Sequence, residues 1–147
     1  MEPAQAALLQ DVLRRESRSL LQYVSESYPW TKAEGHAACA AVTAIAQTET
    51  AAITRLGRWL AKQRVPTTFP GAYPTHFTTT NFVALRYLLP RLADDQRQRI
   101  AAVEKVRTSL PAGEAREQLE MLLAVMKDHL KQLDALQAGS EPAAIAS

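Results

Sequence analysis

Arg64-Val65-Pro66-Thr67-Thr68-Phe69-Pro70-Gly71-Ala72-Tyr73-Pro74-Thr75-His76-Phe77-Thr78 is the stretch on which the fold turns. Three prolines and a glycine within fifteen residues leave no room for helical periodicity. Proline removes a backbone donor and clashes with the preceding turn, and glycine favours chain reversals. Helix-to-helix connections in a compact domain usually take about two to eight residues. Fully extended, this one spans roughly 50 Å. It is therefore expected to travel the length of a domain and to leave its flanking helices parallel.

On both sides of it the pattern is helical. From about Ala4 to Tyr28, Leu9, Leu13, Glu16, Leu20 and Tyr23 recur every three or four residues, which predicts a first helix ended by Tyr28-Pro29-Trp30. Thr31 and Glu34 have the spacing of a capping box, and a second helix is expected from there to about Gln63. Its seam is Val42, Ile45, Glu49, Ala52, Leu56 and Trp59, with alanines that permit close helix approach. A third helix is expected from about Thr80 to Ser109, kinked or broken at Pro90. Leu110-Pro111-Ala112-Gly113 is a short turn, and a fourth helix follows from about Glu114 to Gln137. The expected architecture is all-α: one four-helix-bundle domain over residues 1–138, with a small-residue tail over 139–147.

Composition agrees with one packed domain. The chain has 147 residues, 47% of them hydrophobic, five glycines and few β-branched clusters. The net charge of +2 is too small to argue for nucleic acid. The densest basic stretch, Arg91, Arg97, Arg99, Lys105 and Arg107, is interrupted by acids and reads as a solvated helix face. Cys39 is the single cysteine, which excludes an internal disulfide and a cysteine-rich zinc site. Neither a secretory signal nor a membrane-spanning run of about 18 apolar residues is present, and a cytoplasmic location is the expectation.

Two acids break the apolar rule. Glu16 lies on the Leu9–Leu13–Leu20 seam and Glu49 on the Val42–Ile45–Leu56 seam, so helical arithmetic turns both inward. His129 lies on the Leu122–Met126–Leu133 seam at a similar depth. A buried carboxylate needs a proton, a cation or a donor, and two held close are expected to raise at least one pKa unless a cation intervenes. Glu16, Glu49 and His129 together are the candidate metal ligands, an oxygen and nitrogen set suited to iron or another divalent ion.

With these residues and the long connection in place, the chain resembles the ferritin-like superfamily, including rubrerythrins and bacterioferritins. That resemblance implies a Glu on the first helix, Glu-x-x-His on the second, a repeat of both on the third and fourth, and a crossover between helices two and three. Glu16 and Glu49, 33 residues apart, match the first two positions. The rest departs from the pattern: Ala52 stands where the first His belongs, and Met126 where the last Glu belongs. Helix three offers Ala93, Asp94, Asp95 and Gln96 with no glutamate among them.

The resemblance thus implies a degenerate centre with at most partial metal binding. The alternatives are a metal-free helical interaction or scaffold module, self-associating through helix faces, and an iron redox protein that completes its site with Asp95, Gln96 or a second subunit. His36, His76, Met121 and Cys39 carry no comparable pattern. Tyr23, Tyr28, Trp30 and Trp59 are expected to pack near the ends of the domain. No nucleophile elbow, phosphate-binding loop, dinucleotide fingerprint or His-Glu-x-x-His helix occurs.

Overall fold

The structure, a computed structural model, describes residues 1–140 apart from Tyr28, Trp30 and Thr68; for Glu34 and Ser140 only the backbone is described. It contains α1 (Pro3–Glu16), α2 (Leu20–Ser27), α3 (His36–Lys62), α4 (Leu85–Ser109) and α5 (Glu114–Ser140), with single 3-10 turns at Ala33–Gly35 and Thr75–Thr80. No strand occurs among the described residues, and none of their helices is long and apolar enough to cross a membrane.

The expected first helix is two. Both backbone and side chain of Ser17 donate to the Leu13 carbonyl, at 3.1 and 2.7 Å, and Arg18 N donates to Arg15 O. Ser19 Oγ then accepts from Gln22 N at 3.3 Å and restarts the helix as its cap. Serine side chains compete with the helical ladder in this way, and two of them flank Arg18.

The third helix also differs from expectation. It starts at Leu85, because Thr75–Thr80 forms a 3-10 turn whose threonine hydroxyls bond back to carbonyls three residues earlier. It then passes through Pro90 as one continuous element. Lys32 opens a 3-10 turn and α3 begins at His36; the Glu34 side chain, on which the expected capping box rests, lies outside the described residues. At the other terminus α5 extends to Ser140, so Gly139 is helical where a tail was expected; 141–147 lie outside the described residues, as do Tyr28 and Trp30.

Helix directions follow from which residues share a core. One apolar cluster gathers Leu9 and Val12 of α1, Leu56 and Leu60 from the end of α3, Val103 from late α4, and Leu119 and Leu122 from early α5. The other gathers Leu21 and Val24 of α2, Val42 and Ile45 from early α3, Phe77 of the 3-10 turn before α4, Leu85 and Leu89 from early α4, and Leu133 from late α5. Hence α3 and α4 run in the same direction, and the connection between them crosses over. It is strapped along α1 and α2 by three side chains in sequence order. Gln10 Nε2 donates to Pro66 O at 2.5 Å, Arg18 Nε to Gly71 O at 2.7 Å, and Tyr23 Oη to Asn81 Oδ1 at 2.7 Å.

The crossover leaves α3 through a tight cap. Val65 N donates to Leu60 O at 3.0 Å and Arg64 N to Ala61 O at 3.0 Å, with Arg64 itself at φ 59°. This is the Schellman arrangement, and Leu60 and Val65 share the first apolar cluster as its hydrophobic contact.

Candidate functional site

Between the two apolar clusters lies one polar layer. Along the chain each polar residue falls between members of the two clusters: Glu16 between Val12 of α1 and Leu20 of α2, Glu49 between Ala46 and Ala52, Gln96 between Ala93 and Val103, His129 between Met126 and Leu133. All four are at most 2% exposed, so they sit in the interior at mid-height and not at a surface.

The three sequence-derived candidates are brought to this layer. His129 Nδ1 lies 2.7 Å from Glu49 Oε2. Glu16 and Glu49 are linked through a residue that the sequence reading placed on a solvated face. Arg99 Nη1 donates to Glu16 Oε2 at 2.5 Å and to Glu49 Oε1 at 2.7 Å. Its Nε donates to Asp95 Oδ2 at 2.9 Å, and its Nη2 to Gln96 Oε1. The Arg99 side chain is only 11% exposed. Leu92, Gln96, Arg99 and Val103 recur at four, three and four residues, so Arg99 lies on the buried stripe of α4 and not on the face of Arg97.

Gln96 completes the network. Its Nε2 donates both to Glu49 Oε2 and to Met126 O at 3.0 Å, while its Oε1 accepts from Arg99. Glu49 thus accepts from Arg99, Gln96 and His129, with the imidazole Nδ1–H donating to the ionised carboxylate.

The two glutamates are pushed in opposite directions by one environment. Burial alone would raise the Glu49 carboxyl, but the hydrogen bond from His129 and the Arg99 guanidinium outweigh it and bring it from 4.5 to about 2. Burial dominates at Glu16 and raises its carboxyl, with Arg99 opposing and the Glu49 charge adding to the rise. Arg99 gains more from Glu16, Glu49 and Asp95 than burial takes away, so it stays charged.

This donor set does not fit a resident metal ion. The glutamate oxygens that would face a cation at the centre already accept from a guanidinium, which carries the compensating positive charge. Ala52 has no donor atom, and Met126 is fully buried in the first apolar cluster. Among the described residues no group of three or more His, Cys, Asp or Glu side chains is arranged to hold a metal.

The remaining sequence candidates stand apart. His36 and His76 are exposed, Cys39 is a half-buried free thiol, and Met121 is 39% exposed. Tyr23 packs at the α2 end against Tyr73, with ring centroids 5.3 Å apart, and against Phe77; Trp59 packs on the opposite cluster. No family model, curated protein or solved structure matches the chain.

Proposed function

We propose that the chain is a ferritin-like four-helix bundle whose centre works without metal: Arg99 is its resident cation, and the protein acts by binding and not by iron redox chemistry. One observation carries this reading. Arg99 Nη1 stands 2.5 Å from Glu16 and 2.7 Å from Glu49, the point toward which the inward carboxylates of a metal-binding bundle converge. A divalent ion entering there would meet a fixed positive charge and would have to displace four guanidinium contacts. The crossover and the inward Glu16, Glu49 and His129 support the ferritin-like ancestry.

A second reading, a protein-interaction module, draws support from aromatic side chains left in solvent. Phe82 is 102% exposed, Phe69 81% and Tyr87 58%. Exposed large aromatics are favoured anchors in protein interfaces.

Anaerobic ferrous loading followed by oxygen uptake tests the first reading. The expected result is less than one iron retained per chain and oxygen consumption no faster than free iron. Two irons bound per chain, with rapid oxygen uptake that Glu49→Ala abolishes, would overturn it and restore an iron enzyme.

A further inference from the structure

The crossover and the break between α1 and α2 border a cleft of about 320 Å³, which meets the interior cluster only at Asp95 and Arg99. Arg14, Arg15 and Arg18 line one side, Arg99 closes it from the core, and Pro70, Pro74 and Phe77 supply apolar wall. We propose that this cleft binds a small molecule carrying a phosphate or carboxylate group on a compact apolar body.

The arrangement of charge is the first support. Four guanidinium groups line the cleft, against one lining carboxylate, Asp95, which is engaged by Arg99 Nε. The other carboxylates that pair with these arginines are not part of the lining: Asp11 holds Arg14 and Arg15, and Glu16 and Glu49 hold Arg99. Arg99 is already held by Glu16, Glu49, Asp95 and Gln96, so the donors offered to a ligand are those of Arg14, Arg15 and Arg18. Every cation there is arginine, whose planar fork matches the two oxygens of a carboxylate or phosphate.

Arg18 is the second support. Among the described residues no carboxylate pairs with it. Its Nε donates to Gly71 O at 2.7 Å and its Nη1 to Ser17 O at 3.2 Å. Its guanidinium carbon lies 4.9 Å from the Tyr73 ring centroid and 5.6 Å from that of Phe69. Backbone carbonyls and aromatic faces thus hold a cation in place without neutralising it. A preorganised charge of this kind binds an anion without a further ordering cost. Ser19 lines the same cleft beside it and adds a hydroxyl.

The apolar wall sets the rest of the ligand. Pro70 and Pro74 are rigid and Phe77 is buried to 9% exposure, so a flat or compact hydrocarbon group is accommodated beside the anion.

The test is a metal-free titration of the full chain, read by backbone amide NMR, with phenyl phosphate, benzoate, inorganic phosphate and benzyl alcohol as probes. The expected result is saturable binding of phenyl phosphate or benzoate, with shifts at Ser19, Gly71 and Phe77. The tighter of the two identifies the oxyanion. Inorganic phosphate binds about tenfold more weakly for want of an apolar body, and neutral benzyl alcohol does not saturate. Arg18→Gln weakens binding by about tenfold or more, as expected for loss of a hydrogen bond to a charged group. Because Arg18 also straps the crossover, Arg14→Gln, half-exposed and outside that strap, is measured alongside and weakens binding about threefold. Absence of saturation by both organic anions, or affinities unchanged in both variants, would overturn the proposal. Iron loading reads Arg99 and this titration reads Arg18, so the failure of one reading is distinguishable from the failure of the other.

Discussion

Around Leu9, Leu56, Val103 and Leu119 the interior is apolar; one layer away, on the same helices, it is built from Glu16, Glu49, Gln96, Arg99 and His129. Both layers are interior, with Arg99 alone of the named ionic residues reaching 11% exposure, yet they hold together for different reasons. In the apolar layer each side chain contributes by area and shape, and losing one costs according to the cavity left. In the ionic layer each group is tolerated only because its partners satisfy it, and losing one costs according to what remains unpaired. Volume governs the first layer and connectivity the second.

The largest effect that separates them is expected at Arg99. Arg99→Met keeps most of the side-chain volume and removes the charge that Glu16, Glu49 and Asp95 share. A loss of about 3–5 kcal/mol is expected in urea unfolding, as for other broken buried ion clusters. Leu56→Ala in the apolar layer, which removes volume, is expected to lose about 2–5 kcal/mol. The diagnostic is rescue: millimolar guanidinium should partly restore an Arg99→Ala chain and leave Leu56→Ala unchanged. If Arg99→Met is as stable as the wild type, the layers do not differ in kind.

Connectivity then predicts unequal glutamates. Glu49 accepts from three donors, so Glu49→Gln turns an amide donor toward them and should cost about 2–3 kcal/mol. Among the described residues Glu16 accepts from Arg99 alone, and burial raises its carboxyl so that the charged form is less favoured than at Glu49; Glu16→Gln should therefore cost about 1 kcal/mol or less. Equal losses in denaturant melts would refute the asymmetry.

The pH dependence sharpens the same point. Glu49 is depressed from 4.5 to about 2, so its stabilisation is full above pH 4.5 and is lost as pH falls toward 2. Glu16 is raised, so its contribution has the opposite sign: present below pH 4.5 and lost as pH rises through its folded pKa. Carboxyl NMR should find Glu16 taking its proton above 4.5 while Glu49 stays ionised to near 2. Two ordinary titrations near 4.5 would show that the layer is more open to water than its geometry indicates.

The smallest effect lies at the edge of the apolar layer. Arg64 holds φ 59° at the position where a Schellman cap favours glycine. Arg64→Gly is expected to raise stability by about 1 kcal/mol, and thermal melting checks it. No such gain is available in the ionic layer, where every residue named is already committed to a partner.

Helical periodicity was enough to identify α3 and α5 and to turn Glu49 and His129 inward, because a residue's face depends only on its spacing from its neighbours. The prolines between Arg64 and Thr78 likewise carried the crossover, since a segment too long for a turn and unable to form a helix must cover distance. Spacing could not decide the break at Ser17–Ser19, where the hydrophobic pattern runs on while local serine bonds interrupt the backbone. Nor could it reveal what neutralises the two glutamates. The stripe from Leu92 to Val103 includes Arg99, but residue type argued for solvent, and only four helices brought to one level supply enough partners to keep a guanidinium inside. Facing is a property of one helix and is written along it; satisfaction of a buried charge is a property of several helices at once, and tertiary packing alone decides it.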